Sequence, residues 1–506
     1  MKTIRTLIII FVCLLVNLNY SLAQSNDGDS LFETPKIHDI YITFTQNNFW
    51  DTLVSNYELD TMMLGTITID NEAMDSIGVQ LKGNSSYNTY PGFKKSMKIA
   101  FDEYKKQKYD GLKRINLHNS FKDPTLLREK IMLDFCKRHA IPAPRCTYAR
   151  VYINNRYWGL YTIVEQVNKT FLSDRFGDND GNLFKGDPQG SLQWMGANPS
   201  LYYSKYELKT NETANNWTDL VNLINKINNT QSAVFYDSLE KVLDSETFIK
   251  VWASNNMFAN MDSYQGSGHN YYLYNDTTEN RFKFITWDVN EAFGNFQMNL
   301  GYPGIETMSI LYIPSPANSR PLMNKMLQNT VYKANYVNTL CDFINTDFSN
   351  SFLDPIIDSL ANVIRADVYA DTNKMYTNAQ FETNLTSNVS APGTLPGLKS
   401  FINNRRTSMI NELSTYSCLS AIENRGQLNI DVYPIPSSGL IYFDAENISA
   451  RNRNLEIYNS MGQLILKEDF HNSKLEVNLQ NKTGLYFYMV IEDNQIVTSG
   501  KLVMGK

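Results

Sequence analysis

The chain has 506 residues, with 46 Lys and Arg against 52 Asp and Glu, and a net charge of −6. That mildly acidic balance, with no basic run, excludes nucleic acid as a main partner. The length suggests two or three domains, and aromatic residues are plentiful, with 31 Tyr and 26 Phe.

Residues 1–23 carry Lys2 and Arg5, an apolar run from Leu7 to Leu18, and Ser-Leu-Ala ahead of Gln24. This is the pattern of a signal peptide with its cleavage site. The run is short for a membrane span. Cys13 lies inside it and not just after the cleavage site, which argues against a lipid-anchored form. No later stretch is long and apolar enough to span a bilayer, so the mature chain is expected to be soluble and exported. Cys136, Cys146, Cys341 and Cys418 then remain, too few for a disulfide framework. None forms a Cys-x-x-Cys pair, and no structural zinc site is expected. Cys136 reads as a buried free thiol, with a Cys136–Cys146 bridge as the alternative.

Residues 24–35 are polar and read as a disordered linker. From Ile37 to Phe101, the runs IHDIYITF, GTITIDNEAM, SIGVQLKG and KKSMKIAF alternate between turn signals and predict strands joined by hairpins. Asp123 to His139 predicts a helix. Pro124 suits its first turn, and Leu126, Leu127, Ile131 and Phe135 form an apolar stripe. Strands follow at ARVYINN and YWGLYTIVEQ, turning at Asn154-Asn155-Arg156. Phe171 to Asn216 is rich in loops. From Trp217 to Leu413 the pattern is helical, apart from the β-like run Phe282 to Trp287. A polar break at 423–427 precedes 428–506, whose short strands and turns at Pro-Ser-Ser-Gly, Asn-Ser-Met-Gly and Lys-Thr-Gly fit a small β-sandwich.

The chemistry concentrates between Phe258 and Gly294. Asp262 opens a polar, Gly-rich loop, Asp288 ends an apolar strand, and Asn270 lies between them. Oxygen-bearing side chains at the ends of rigid elements suit a Mg²⁺–phosphate site; turn caps are the alternative. Lys82-Gly83-Asn84-Ser85-Ser86 joins strands, and its backbone N–H groups and Ser hydroxyls could meet an anion. A plain hairpin turn is the other reading. Lys95 shares a strand face with Met97, Ile99 and Phe101. A lysine on an apolar face calls for an anionic partner, which makes Lys95 the candidate phosphate lysine and Lys98 the runner-up.

Several blocks resemble a known family in order: VQLKGNSS (Val79–Ser86), KKSMKIAF, KDPTLLREKI, VYINNRYWGLYTIVEQV, NLFKGD, GHNYYLYN and FITWDVNEAFG (Phe284–Gly294). They are similar to the CotH family, spore-coat-protein-H-like relatives of protein kinases. The resemblance spans about Lys36 to Leu413. It implies an α+β, two-lobed atypical kinase domain over 36–422, with a β-rich small lobe and a helical large lobe. It implies ATP and Mg²⁺ or Mn²⁺ as cofactors. Asp262 would be the catalytic base or a metal-side carboxylate, with Asp288 and Asn270 as metal ligands. Asn290 stands where relatives often carry a second acid; an Asn there keeps an oxygen but loses a charge, for which Glu291 could compensate. Arg128 or Glu129 would orient the phosphate-binding group, Glu165 would close the adenine edge, and Lys185 would add positive charge near the phosphates. His269 reads as hydrogen-bonding the loop, since phosphoryl transfer asks little of a base, with a general base as the alternative.

VYPIPSSG, LEIYNSMGQLI, LQNKTGLYFYMV and the terminal KLVMGK are similar to the C-terminal sorting domain of the type IX secretion system. Pro434-Ile435-Pro436 replaces the usual Pro-Asn-Pro. The resemblance implies passage through that machinery to the cell surface or beyond, by way of the periplasm. The function expected is phosphate transfer from ATP to Ser or Thr of secreted or surface proteins. Two alternatives are a surface adhesion or structural protein that keeps the fold without turnover, and an accessory protein of polysaccharide breakdown.

Overall fold

The computed structural model describes residues 26–34, 36–298, 302–391, 393–416, 430–445, 453–470, 472–480, 482–492 and 495–505. The signal-like segment 1–23, the break at 423–427 and Cys418 lie outside the described residues.

Seven strands close into a barrel: β1 (His38–Thr43), β2 (Met63–Ile69), β3 (Glu72–Lys82), β4 (Ser96–Ala100), β5 (Arg114–His118), β6 (Cys146–Ile153) and β7 (Arg156–Glu165). Antiparallel neighbours run from β1 to β5, then β7 and β6, and a parallel β1–β6 pairing, Ile40 opposite Val151, closes the ring. Individual strands were legible, but this closure was not, because it joins segments about a hundred positions apart. Side chains alternate along each strand, so Val79, Leu81, Met97, Ile99, Ile115, Leu117 and Ile163 fill the barrel. The outer face of β3, β4 and β5 therefore carries Gln80, Lys82, Lys98, Asn116 and His118.

A second sheet has the order β11-β10-β8-β9, from β8 (Leu183–Gly186), β9 (Tyr206–Leu208), β10 (Tyr271–Asp276) and β11 (Arg281–Thr286). It shares a core with α1 (Arg128–Arg138), α2 (Ser245–Met257), α3 (Asn350–Ala370) and α4 (Leu398–Leu413). The helix predicted from Asp123 begins only at Arg128. Asp123 instead accepts hydrogen bonds from the Thr125 and Arg128 amides, both 2.9 Å, and Leu126 takes a left-handed φ of 59°. These bonds satisfy N–H groups that a helix start leaves open.

The expected disorder of the linker does not hold for 26–34. Asp29–Phe32 is a short helix, Leu31 and Phe32 are buried, and Asp29 pairs with Arg145 at 2.7 Å. Two apolar side chains with a core to enter outweigh the polar composition around them. Cys136 and Cys146 are both buried and free, so no bridge joins them, while Cys341 is disulfide-bonded.

The C-terminal region has two sheets. Ile430–Tyr433, Leu440–Ala445 and Lys474–Asn478 form one; Leu464–Asp469, Arg453–Asn459, Gly484–Glu492 and Gln495–Met504 form the other. Ile441, Phe443, Leu455, Ile457, Val490 and Leu502 give them one core. This region also packs on the rest of the chain. Tyr458, Met461 and Met489 enter the main core, the Ser359 hydroxyl donates to the Ser460 carbonyl (3.1 Å), and the Gln463 amide donates to the Phe32 carbonyl (2.8 Å). No helix among the described residues is long and apolar enough to cross a membrane.

A buried ion pair ties the barrel to α3. Lys94 and Asp371 meet at 2.5 Å with side chains 1% exposed, and Asp371 also accepts from the Leu160 amide. Gly159 leaves room for this carboxylate: a Cβ there would lie 2.5 Å from Asp371 Oδ2, and its φ of 142° disfavours any side chain. Asp371→Ala would strand the Lys94 ammonium, and we expect a loss of about 3–5 kcal/mol in denaturant unfolding. A loss under about 1 kcal/mol would mean that Lys94 finds water or another partner.

Candidate active site

The β10–β11 hairpin builds half of the site. Tyr271 opposes Thr286, so the residues just outside that pair, Asn270 before β10 and Trp287 with Asp288 after β11, emerge together. Asn270 and Asp288 both turn sharply, with φ of 58° and 52°. The Asp262 loop follows α2 and is cinched onto itself. Ser267 N–H donates to the Met261 carbonyl, and the Arg320 guanidinium holds the carbonyls of Tyr264 and Gly266. Gly266 permits the fold-back, since a Cβ there would lie 1.9 Å from the Met261 oxygen. Within this loop the Asn270 amide donates to the Asp262 carboxylate (2.9 Å) and carbonyl (3.0 Å), and His269 Nε2 sits 2.6 Å from the other carboxylate oxygen. Burial opposes charge on His269, but the Asp262 hydrogen bond and charge outweigh it and raise its pKa.

The other half hangs from the barrel's outer face. Lys82 ends β3 and reaches Asn116 Oδ1 at 2.9 Å and His118 Nε2 at 3.1 Å. His118 Nδ1 lies 3.0 Å from both oxygens of Glu129, in the first turn of α1. This spacing requires His118 to donate from Nδ1 and accept from Lys82 at Nε2. Trp287 packs edge-on against His118, and the Lys82 ammonium lies 5.2 Å from its ring centre. Burial of that ammonium lowers the Lys82 pKa to about 8, although part of the side chain stays open.

Asp288 joins the two halves. Ligand atoms of His118, Glu129 and Asp288 lie within 4.8 Å of one another. No hydrogen bond to the Asp288 carboxylate is made among the described residues. A half-buried carboxylate without donors, beside a desolvated ammonium, fits a site that takes both a cation and a polyanion. Glu291 is buried 3.2 Å from Lys122; burial, with the charges of Asp262 and Asp288 nearby, pushes its pKa up to about 7.

The other expected site residues are distributed as follows. Lys95 is not in the cleft: it precedes β4, and its ammonium caps the carbonyls of Tyr87 and Tyr90 over both rings. The anionic partner that its apolar face demanded is thus a pair of carbonyl oxygens. Lys98 faces the same side as Lys82, opposite Gln80 and Asn116 in register, and has no ion pair among the described residues. Burial lowers its pKa, with Arg114 and Lys209 adding to the effect. Gly83, Asn84, Ser85 and Ser86 follow Lys82 in the 83–95 connection between β3 and β4. They form a single helical turn from Ser85 and no tight hairpin.

Arg128 points away from the site. It is fully buried on Asp123 (2.6 Å) and Asn384 (3.0 Å), and so ties α1 to the helical region. Glu165 is also structural, at 2.6 Å from Arg145 and 2.8 Å from Arg175, so its carboxylate is already engaged at the end of β7. Lys185 opposes Tyr272 on β8 and pairs with Asp187, and its charge is felt at Lys82. The Asn290 amide donates to the Phe121 carbonyl at 3.0 Å, and its oxygen accepts no hydrogen bond among the described residues. Lys82, Asn116 and His118 were missed as site residues. Their signal was polar residues two apart, Gln80 with Lys82 and Asn116 with His118, on strands whose other face is wholly apolar.

A family model described as CotH kinase protein matches residues 79–409, and one described as secretion system C-terminal sorting domain matches 431–505. Inner spore coat protein H of Bacillus subtilis is 26% identical over 286 residues, 56% of this chain and 75% of that protein. Invasin CotH2 and invasin CotH3 of Rhizopus delemar are 25% and 24% identical, and the chain spans about half the length of each. Among solved structures, the twitchin kinase region from C. elegans matches with a TM-score of 0.20 and 8% identity, over 81% of this chain and 71% of that one. That likeness is too slight to define a fold.

If Lys82 is the anion-binding lysine, ATP at about 100 times its Kd stabilises the protein by about 2.7 kcal/mol. Lys82→Ala abolishes that gain and Lys95→Ala keeps it. The reverse pattern in thermal shift would return the role to Lys95. Bound phosphate favours the charged ammonium, so ATP affinity falls as pH rises through about 8, by up to about tenfold per pH unit. A flat profile between pH 7 and 9.5 would remove Lys82 from the contact.

Proposed function

The chain belongs to the CotH kinase protein family, and we propose that it is an exported atypical kinase. It would transfer the γ-phosphoryl group of ATP to a Ser or Thr hydroxyl of a secreted or surface protein. In this reading ATP lies between a small lobe, the barrel, and a large helical lobe, and the C-terminal sheets form the sorting sandwich. The sorting-domain match implies export to the cell surface or beyond.

One observation carries the reading: Lys82, His118 and Glu129 form a continuous chain beside the undonated Asp288 carboxylate. Lys82 would neutralise phosphate charge, with Lys185 nearby, while His118 and Glu129 keep it in place. Asp288, with the free oxygen of Asn270, would hold Mg²⁺ or Mn²⁺, which supplies charge neutralisation on the transferring phosphoryl group. Asp262 would orient the acceptor hydroxyl and take its proton as the new P–O bond forms and the bond to ADP breaks. His269 and Asn270 fix that carboxylate at both oxygens. Catalysis of this kind is mostly positioning and electrostatics.

A second reading, a surface-binding protein that keeps the fold without turnover, is favoured by the name invasin borne by two relatives. The deciding experiment is autophosphorylation of residues 24–506 with labelled ATP and Mg²⁺ or Mn²⁺. We expect label in the wild type and a fall of about a thousandfold or more in Asp288→Ala. No label and no ATP-induced thermal shift would leave the surface-binding reading; ATP binding without transfer would mean a pseudokinase.

A further inference from the structure

At the opposite end of β7 from Glu165, the barrel carries a cavity of about 300 Å³ that shares no residue with the site above. Its walls are aromatic: Phe49, Trp50, Phe93 and Trp158. Trp50 and Trp158 lie 5.4 Å apart, and Phe93 stands edge-on to both at 5.3 and 6.3 Å. Phe93 is 56% exposed, an unusual position for a side chain with a cluster to join. The connection that carries Phe93 is held down behind it by the Lys94–Asp371 pair and by Tyr90 donating to the Asn373 carbonyl.

The rim is polar and half used. Asn154 accepts the Phe44 amide at its Oδ1 (2.8 Å), which fixes the side chain and leaves its NH₂ free. Asn373 donates its NH₂ to the Trp158 carbonyl (2.8 Å), which leaves its Oδ1 free. Arg156 has no ion pair or hydrogen bond among the described residues. The cavity thus offers aromatic faces, a fixed donor, a fixed acceptor and a forked donor within the volume of one small ring.

We propose that this cavity binds one pyranose unit of a neutral polysaccharide. A sugar ring has apolar C–H faces that stack on Trp and Phe. Its hydroxyls each donate and accept, so adjacent hydroxyls satisfy Asn154 Nδ2, Asn373 Oδ1 and Arg156 together. A hydrocarbon or aromatic peptide side chain would leave all three without a partner on the ligand, so the rim would add nothing to its binding. A carboxylate would satisfy the donors and leave Asn373 Oδ1 facing a group with no proton. The cavity therefore binds sugar whether or not phosphate is transferred at the other site.

The test is tryptophan emission of residues 24–506 titrated with cellohexaose, xylohexaose and mannohexaose, beside N-acetyl-phenylalaninamide as an apolar aromatic probe that does not itself emit there. We expect saturable change with at least one hexaose and none with the amide. Phe93→Ala, exposed and so safe for folding, should weaken binding at least tenfold with an unchanged melting temperature. Arg156→Ala should weaken it less and leave the emission maximum in place. Asp288→Ala should bind the sugar as the wild type does. Failure of all three hexaoses overturns the proposal, as does binding of the amide alone or hexaose binding that survives Phe93→Ala.

Discussion

A lysine ammonium drawn out of water sets the terms for the rest of the molecule. Lys82 sits where burial favours its neutral form, and what keeps it useful is a chain of partners from three separate elements. Asn116 and His118 come from β5, Glu129 from α1 and Asp288 from the end of β11. None neutralises Lys82 by direct contact. Glu129 spends its oxygens on His118, and Asp288 spends none on any donor. A cation oriented but not saturated in this way would suit the incoming anion of the proposed reaction, because the cost of desolvation is already met by the fold.

Holding that chain requires the barrel, α1 and the second sheet to stay in fixed relation, and the structural ion pairs do this. Arg128 locks α1 through Asp123 and Asn384, Lys94 and Asp371 lock β4 to the end of α3, and Glu165 gathers Arg145 and Arg175 where β7 ends. Each joins charges that the fold draws largely out of water, and losing one partner would leave the other stranded. Charged residues in sequence blocks that look functional are therefore divided in the structure: some hold elements, and a few face the cleft.

That division explains what could be read from the chain and what could not. The turns that carry Asp262, Asn270 and Asp288 were legible because sharp turns at strand and loop ends leave local signals, and one hairpin register brings two of them together. Strands, the helix stripe and the C-terminal turns were legible for the same local reason. Lys95 misled because an apolar strand face told correctly that its charge needs a partner, but not that carbonyls of its own loop supply it. Arg128 misled because, besides nearby Asp123, it is claimed by Asn384, 256 positions away, and Glu165 because two arginines 10 and 20 positions away fold back onto it. Lys82 and His118 escaped notice since their meaning depends on which side of a closed barrel faces outward, and closure rests on pairing β1 with β6.

The Gln463–Phe32 hydrogen bond links residues 431 positions apart. Together with Met461 and Tyr458 in the main core, it makes the C-terminal sheets a structural neighbour of the short Asp29–Phe32 helix. Such contacts close long loops and form late. Until the C-terminal sheets arrive, the outer side of α1 near Asp134 and Arg138 stays open to solvent, and the helix bearing Glu129 lacks one of its supports. Completion of the C-terminal region and the final seating of α1 are thus one event in folding.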